Sequence, residues 1–137
     1  MIRAVVAVSL LALAACGGDA ELEVRDAWAR PTPLATTPAA VYFEVEVAED
    51  DVLLGASAPD VAAVTEVHET MSDDDVMSMH ESHGVELTAG ETVVFEPGGL
   101  NVMLVDLLAP LEAGQRFDLT LTLERAGEVQ VEVEVRE

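Results

Sequence analysis

The sequence predicts an all-β protein, an antiparallel β-sandwich built as one domain. Apolar and polar residues alternate in four segments, the pattern of strands with one buried face; these segments are residues 22–25, 42–47, 117–124 and 129–135. Turn-forming residues separate the segments, and residues 125–128 predict a β-hairpin between the last two. No segment has a clear helical period, and the short, valine-rich stretch 61–67 is assigned to a strand. Strands at this spacing favour a sandwich.

The first 15 residues have the features of a secretory signal. Arg3 precedes an apolar run, residues 4–13, that is too short to cross a bilayer. The run ends in small residues followed by Cys16, which resembles the bacterial lipobox and implies cleavage before Cys16 and lipid attachment to it. Residues 16–21 would then be the lipidated cysteine and a short tether to the membrane. An ordinary signal peptide with an incidental cysteine is the alternative.

Residues 22–137 have the length of one domain. Cys16 is the only cysteine of the chain. No disulfide can therefore form within the domain, and the fold depends on its hydrophobic core.

The charge of the chain is strongly acidic, with 27 acidic residues and 6 basic ones, all of them arginine. Loss of Arg3 with the signal leaves a net charge of −22. This charge argues against nucleic acid and against anionic lipid surfaces as partners. The acidic residues are spread along the whole chain, which favours a solvated surface over a local cation-binding patch.

Histidine and methionine are concentrated in residues 68–103. This stretch holds all three histidines and every methionine except the initiator: His68, His80, His83, Met71, Met77, Met79 and Met103. Thioether sulfur and imidazole nitrogen suit Cu(I). Taken singly, each of these residues would be assigned to the core or to the exposed surface. Only their joint spacing supports a metal site.

Other chemistries have less support in the sequence. The acidic run 73–75 lacks the alternating oxygen ligands and the glycine of a calcium loop, and is predicted as an exposed loop. No serine or cysteine nucleophile with His and Asp support is recognisable. The sequence therefore predicts a protein that is not an enzyme.

The spacing of four residues carries a family resemblance. Ten residues separate His68 from Met79, and twenty-one separate Met79 from Asn101. One more separates Asn101 from Met103. The spacing resembles that of the periplasmic copper chaperones of the PCuAC type, where a histidine and a methionine are followed by His-x-Met. The resemblance extends over residues 22–135. Five surrounding segments are similar to the family: 26–31 (DAWARP), 40–43 (AVYF), 50–59 (DDVLLGASAP), 67–70 (VHET) and 97–104 (PGGLNVML).

The resemblance implies a Greek-key, cupredoxin-like β-sandwich that binds one Cu(I) through His68, Met79 and Met103. It also implies a copper-acceptor protein as partner, either a cytochrome c oxidase subunit or another copper chaperone. The protein would be a monomer, lipid-anchored to a membrane of the cell envelope on its periplasmic or extracytoplasmic side.

Asn101 is the departure from the family pattern, because it stands where the family has histidine. An amide oxygen is a hard, weak donor for Cu(I), so Asn101 is better suited to a hydrogen bond beside the site. One alternative is that three residues bind Cu(I), since three-coordinate Cu(I) is chemically acceptable. The other is that a nearby residue takes the place of the missing histidine: His83, His80, Met71 or Met77. Strand parity places His83 on the face of Met79 and His80 on the opposite face.

A second function from another class follows from the same departure. A copper-free relative would keep the sandwich as an interaction module of the envelope, and Asn101 would mark the lost metal site. A redox-active copper protein is a weaker alternative, because a blue-copper site needs a cysteine ligand.

Overall fold

The computed structural model describes residues 22–137, and these residues form ten β-strands. The strands are β1 (Leu22–Ala29), β2 (Ala39–Val47), β3 (Asp51–Ser57), β4 (Ala62–Asp73), β5 (Val76–Glu81), β6 (Val85–Leu87), β7 (Thr92–Phe95), β8 (Leu100–Leu107), β9 (Arg116–Leu123) and β10 (Gly127–Val135). Within this range no helix has the length and apolar character needed to cross a membrane. The predicted signal, residues 1–15, and the predicted lipidated Cys16 with its tether lie outside the described residues.

The strands form one sheet in the order β5-β4-β8-β7-β2-β1-β10-β9-β3-β6, with an additional pairing between β8 and β2. Most pairs are antiparallel, but β1 pairs with β10 and β7 with β8 in parallel. The predicted all-β fold is confirmed. The sheet is mixed rather than fully antiparallel, because β10 runs parallel to β1 and β8 runs parallel to β7.

The core forms from the inner faces of the strands. The alternation is complete in β2, where every second residue from Ala39 to Val47 is buried. Phe43 of β2 and Phe95 of β7 stack with their ring centroids 4.3 Å apart. Burial of such a side chain stabilises a fold by about 1.5–3 kcal/mol. Buried residues from β4 and β8 on one side of the strand order and from β3 and β6 on the other join in one cluster, so residues 22–137 share one core.

Two local predictions, a strand in stretch 61–67 and a hairpin around residues 125–128, are confirmed. Residues 62–67 of the predicted stretch 61–67 form the start of β4, which continues to Asp73. The hairpin predicted around residues 125–128 joins β9 to β10, and Gly127 takes the positive φ of 75° that the turn requires.

A tight turn joins β4 to β5. Asp73 pairs with Val76, so only Asp74 and Asp75 lie between the strands. Both have positive φ, 47° and 66°, as in the type I′ turn that favours antiparallel hairpins. The predicted exposed acidic loop is thus a two-residue hairpin turn, and it holds β5 beside β4 at one edge of the described sheet.

Asp51, at the start of β3, is the buried carboxylate of the fold. Its oxygens accept hydrogen bonds from the backbone N–H groups of Val52, Arg125 and Ala126, at 2.8 to 3.0 Å. Burial alone would raise the pKa of Asp51. The backbone hydrogen bonds and the charge of Arg125 outweigh burial, so the pKa lies below the ordinary range of an aspartate. Asp51 therefore ties β3 to the β9–β10 turn.

We expect Asp51→Asn to lower the free energy of unfolding at pH 7 by about 1–3 kcal/mol, because an amide cannot accept three such bonds equally well. Since the folded pKa is depressed, the contribution of Asp51 is complete above about pH 4 and is lost as pH falls through the folded pKa. Urea unfolding of residues 22–137 at pH 7 and at pH 3 measures both effects. The deficit of the variant should shrink at pH 3.

Asp118→Asn, a change at an exposed carboxylate of β9, is the matched control and should leave stability nearly unchanged. Equal losses in the two variants would contradict a special role for Asp51.

Candidate metal centre

The proposed ligands lie on three adjacent strands, with β4 between β5 and β8. His68 of β4 is directly opposite Asn101 of β8. In an antiparallel pair, opposite residues project from the same face, with Cβ atoms about 5 Å apart. The register therefore places the histidine and the position of the missing histidine side by side.

Met103 and Met79 share this face. Glu66 is opposite Met103 and Thr70 is opposite Met79, and both lie two residues from His68 on β4. Since side chains at i and i+2 project from the same side of a strand, the register brings all four residues of the family spacing to one face. The two methionines lie on either side of the His68–Asn101 pair, so their long and flexible thioether side chains would have to converge on it.

His68 is held by a carboxylate. Its Nε2 lies 2.7 Å from Glu66 Oε2, and the side chain of His68 is only 19% exposed. With Nε2–H donating to the carboxylate, Nδ1 carries the free lone pair. Nδ1 is buried and has no hydrogen-bond partner. A neutral imidazole whose second nitrogen is bound to a carboxylate is the usual form of a metal-ligating histidine.

Asn101 is the most enclosed residue of the group. It is 2% exposed, and its Oδ1 is buried without a hydrogen-bond partner. The hydrogen bond predicted for this side chain is therefore not seen at Oδ1. Two buried polar atoms without partners, on directly opposed residues, indicate a position that can hold a polar or charged guest.

Exposure rises toward the edge of the sheet. Met103 on β8 is partly buried, whereas Met79 on β5 is 50% exposed. Among the described residues no three His, Cys, Asp or Glu side chains come together as a metal-binding cluster. A metal site on this face would therefore draw on thioether sulfur as well as on His68.

The structure separates the other candidate ligands. His80 is opposite Glu69 and so projects from the other face, where its Nε2 lies 3.0 Å from Ser78 Oγ. The parity prediction for His80 is therefore confirmed. Met71, opposite Ser78, also projects from that face. The regular hairpin register gives β4 no bulge that would turn Met71 toward His68.

His83 lies just beyond the end of β5, so strand parity does not fix its direction. Its side chain is 86% exposed, and its Nδ1 is 3.7 Å from Oε1 of Glu81, which is opposite His68. His83 thus lies at the rim of the site face.

Glu66 is a residue of this face that the sequence did not single out, whereas Met77 was already a candidate for the position of Asn101. Glu66 lies two residues before His68, a spacing that puts both on one face of a strand. Met77 lies two residues before Met79 and is opposite Ser72, on that same face. Alternation along β4 is enough to place Glu66, whereas Met77 is related to His68 only through the hairpin register.

Comparison with known proteins places the chain in a family. The family model described as "Putative lipoprotein LpqE-like" matches residues 22–135. The protein named "Putative lipoprotein Lxx21020", from Leifsonia xyli subsp. xyli, is 30% identical over 117 residues, which cover 85% of this chain and 70% of that protein.

Solved structures share the fold. A copper-bound PCuAC domain from PmoF2 superposes with a TM-score of 0.70 at 24% identity, over 87% of this chain and 95% of the domain. The apo PmoF2 PCuAC domain gives a TM-score of 0.66 at 25% identity, over 87% and 92%. CuI-DR1885 from Deinococcus radiodurans gives 0.58 at 22% identity, over 84% and 76%.

The matched residues, 22–135, are those over which the sequence resembles the PCuAC family, and that resemblance is confirmed. The chain belongs to the LpqE-like family, and its fold is that of the PCuAC domains.

Proposed function

We propose that this protein is a copper chaperone of the cell envelope that binds one Cu(I) through His68, Met79 and Met103. The observation that carries the proposal is the β5-β4-β8 register, which brings these three residues to one face beside the buried Asn101. Two of the structures that share the fold are described as copper-bound, the PCuAC domain from PmoF2 and CuI-DR1885.

The donor set suits a soft, singly charged cargo. Two thioether sulfurs and one imidazole nitrogen favour Cu(I) over Zn²⁺ or Ca²⁺, which prefer harder ligands. His68 would donate through Nδ1, because Glu66 occupies Nε2. Asn101 lies beside the ion position but offers only an amide oxygen, so three residues would hold the ion and bind it less tightly than four.

Such a site serves delivery rather than storage or catalysis. Thioether ligation is weak, and the half-exposed Met79 is accessible to an incoming ligand of an acceptor. The proposed acceptor is a copper-binding protein, either a cytochrome c oxidase subunit or a second copper chaperone. In this proposal the protein is not an enzyme and acts as a monomer, lipid-anchored through Cys16 outside the cytoplasm.

A second function is favoured by the same Asn101. Its burial at 2% exposure places a hard donor where the family has an imidazole, which is how a lost metal site would look. The protein would then be a copper-free interaction module of the envelope. Copper titration separates the two functions.

One equivalent of Cu(I) should bind to residues 22–137, with little preference for Zn²⁺. Met79→Leu or Met103→Leu should weaken binding on the order of tenfold or more, since the loss of a ligand worth about 1.4 kcal/mol changes affinity tenfold. Competition against a Cu(I) chelator measures the affinity, and circular dichroism checks that each variant stays folded. Failure of the unmodified domain to bind would reject the chaperone and favour the interaction module.

Asn101→His should tighten Cu(I) binding, on the order of tenfold, because it adds an imidazole directly opposite His68. The gain should vanish when His68→Ala is combined with it, since both rings would serve one ion. If Asn101→His changes nothing, His83 already fills that position. His83→Ala should then cost the unmodified protein as much as His68→Ala does.

Cys16→Ser should release the protein from membranes or leave an uncleaved precursor, because the thiol that carries the lipid is gone. Membrane fractionation and the mass of the mature chain measure both outcomes. Identical fractionation with and without the cysteine would contradict the lipid anchor.

A further inference from the structure

A second methionine stands beside Met79 at the open edge of the sheet. Met77 and Met79 are opposite Ser72 and Thr70, so both project from the face that carries His68. Residues at i and i+2 of a strand lie about 7 Å apart, a span that two thioether side chains can close around one ion. Met77 is 64% exposed and Met79 is 50% exposed. β5 is the terminal strand of the described sheet on this side.

We propose that Met77 and Met79 form a two-sulfur station at the sheet edge, where Cu(I) is held while it enters and leaves the inner site of His68, Met79 and Met103. The proposal rests on the proposed copper binding and adds to it the route of exchange. Met79 belongs to both positions, so the ion can pass from one to the other without losing all of its ligands. The cargo class of the station is a soft monovalent cation, Cu(I) or its analogue Ag(I).

The gradient of exposure supports this route. Exposure rises from Asn101, at 2%, through the side chain of His68, at 19%, to Met79 and then Met77. The donors therefore run from the interior of the sheet to its solvent-exposed edge along one face. Met77 is therefore the most exposed member of this row of residues.

Among the exposed soft donors of the β4–β5 hairpin, Met77 is the one that lies beside Met79 on the face of His68. Met71 is as exposed as Met79, at 51%, but projects from the opposite face. His80 shares that opposite face and contacts Ser78. His83 lies at the other end of β5, away from the hairpin turn. Met71 is thus a natural control, because it has the same chemistry on the same hairpin.

The experiment compares Met77→Leu with Met71→Leu in residues 22–137, which share one core. Methionine methyl resonances are followed by NMR during titration with Cu(I), and the rate of Cu(I) loss to excess chelator is measured for the unmodified domain and for each variant. The Met77 methyl should shift together with that of Met79 below one equivalent, while the Met71 methyl stays in place. Met77→Leu should slow copper loss about fivefold, equivalent to about 1 kcal/mol in the barrier, and Met71→Leu should not.

Each contrary outcome has one meaning. If the methyls of Met79 and Met103 shift but that of Met77 does not, or if Met77→Leu and Met71→Leu lose copper equally fast, the edge station is wrong and the inner site stands. If no methionine methyl responds to Cu(I), the proposed chaperone function itself fails.

Discussion

The candidate site depends on one pairing, that of His68 on β4 with Asn101 on β8. Because side chains alternate along a strand, a slip of one residue would turn His68 or Met103 toward the core. Val67 and Val102, which are also paired, prevent such a slip, since both are buried on the other face of the same two strands. Packing of the core thus fixes the geometry of the site. The residues that stabilise the fold and those that would hold the metal alternate along one stretch of chain.

The second requirement is that the site lie at an edge of the sheet. A protein with the proposed chaperone function would have to hold its ion and still release it to a partner. Here the inner part of the row is enclosed and the outer part is exposed, because β4 is covered by neighbours on both sides while β5 has one neighbour in the described sheet. Glu66 adds fixed orientation at the inner end, where it holds the ring of His68. The enclosed residues of the candidate site therefore lie on β4 and β8, and the accessible ones lie on β5.

Local patterns in the sequence predicted strands where β1, β2, β9, β10 and the start of β4 lie. Alternation is a property of a single strand, so it can be read without knowledge of the partner strands. The β4–β5 register could not be read in this way, because it depends on a turn in which Asp74 and Asp75 both take left-handed conformations. For that reason the sequence left the face of Met71 open. The burial of Asn101 depends on contacts between distant strands, which a single sequence does not display.

The exposed edge of β5 has a consequence for the behaviour of the protein at high concentration. An open strand edge that bears Met77, Met79 and Val76, all of them exposed, would ordinarily recruit a second copy and begin edge-to-edge aggregation. Two aspartates form the turn at the end of this edge, and the chain after Arg3 carries a net charge of −22. Like charges on two approaching copies repel at short range. The acidic surface thereby protects an exposed strand edge from self-association without covering it.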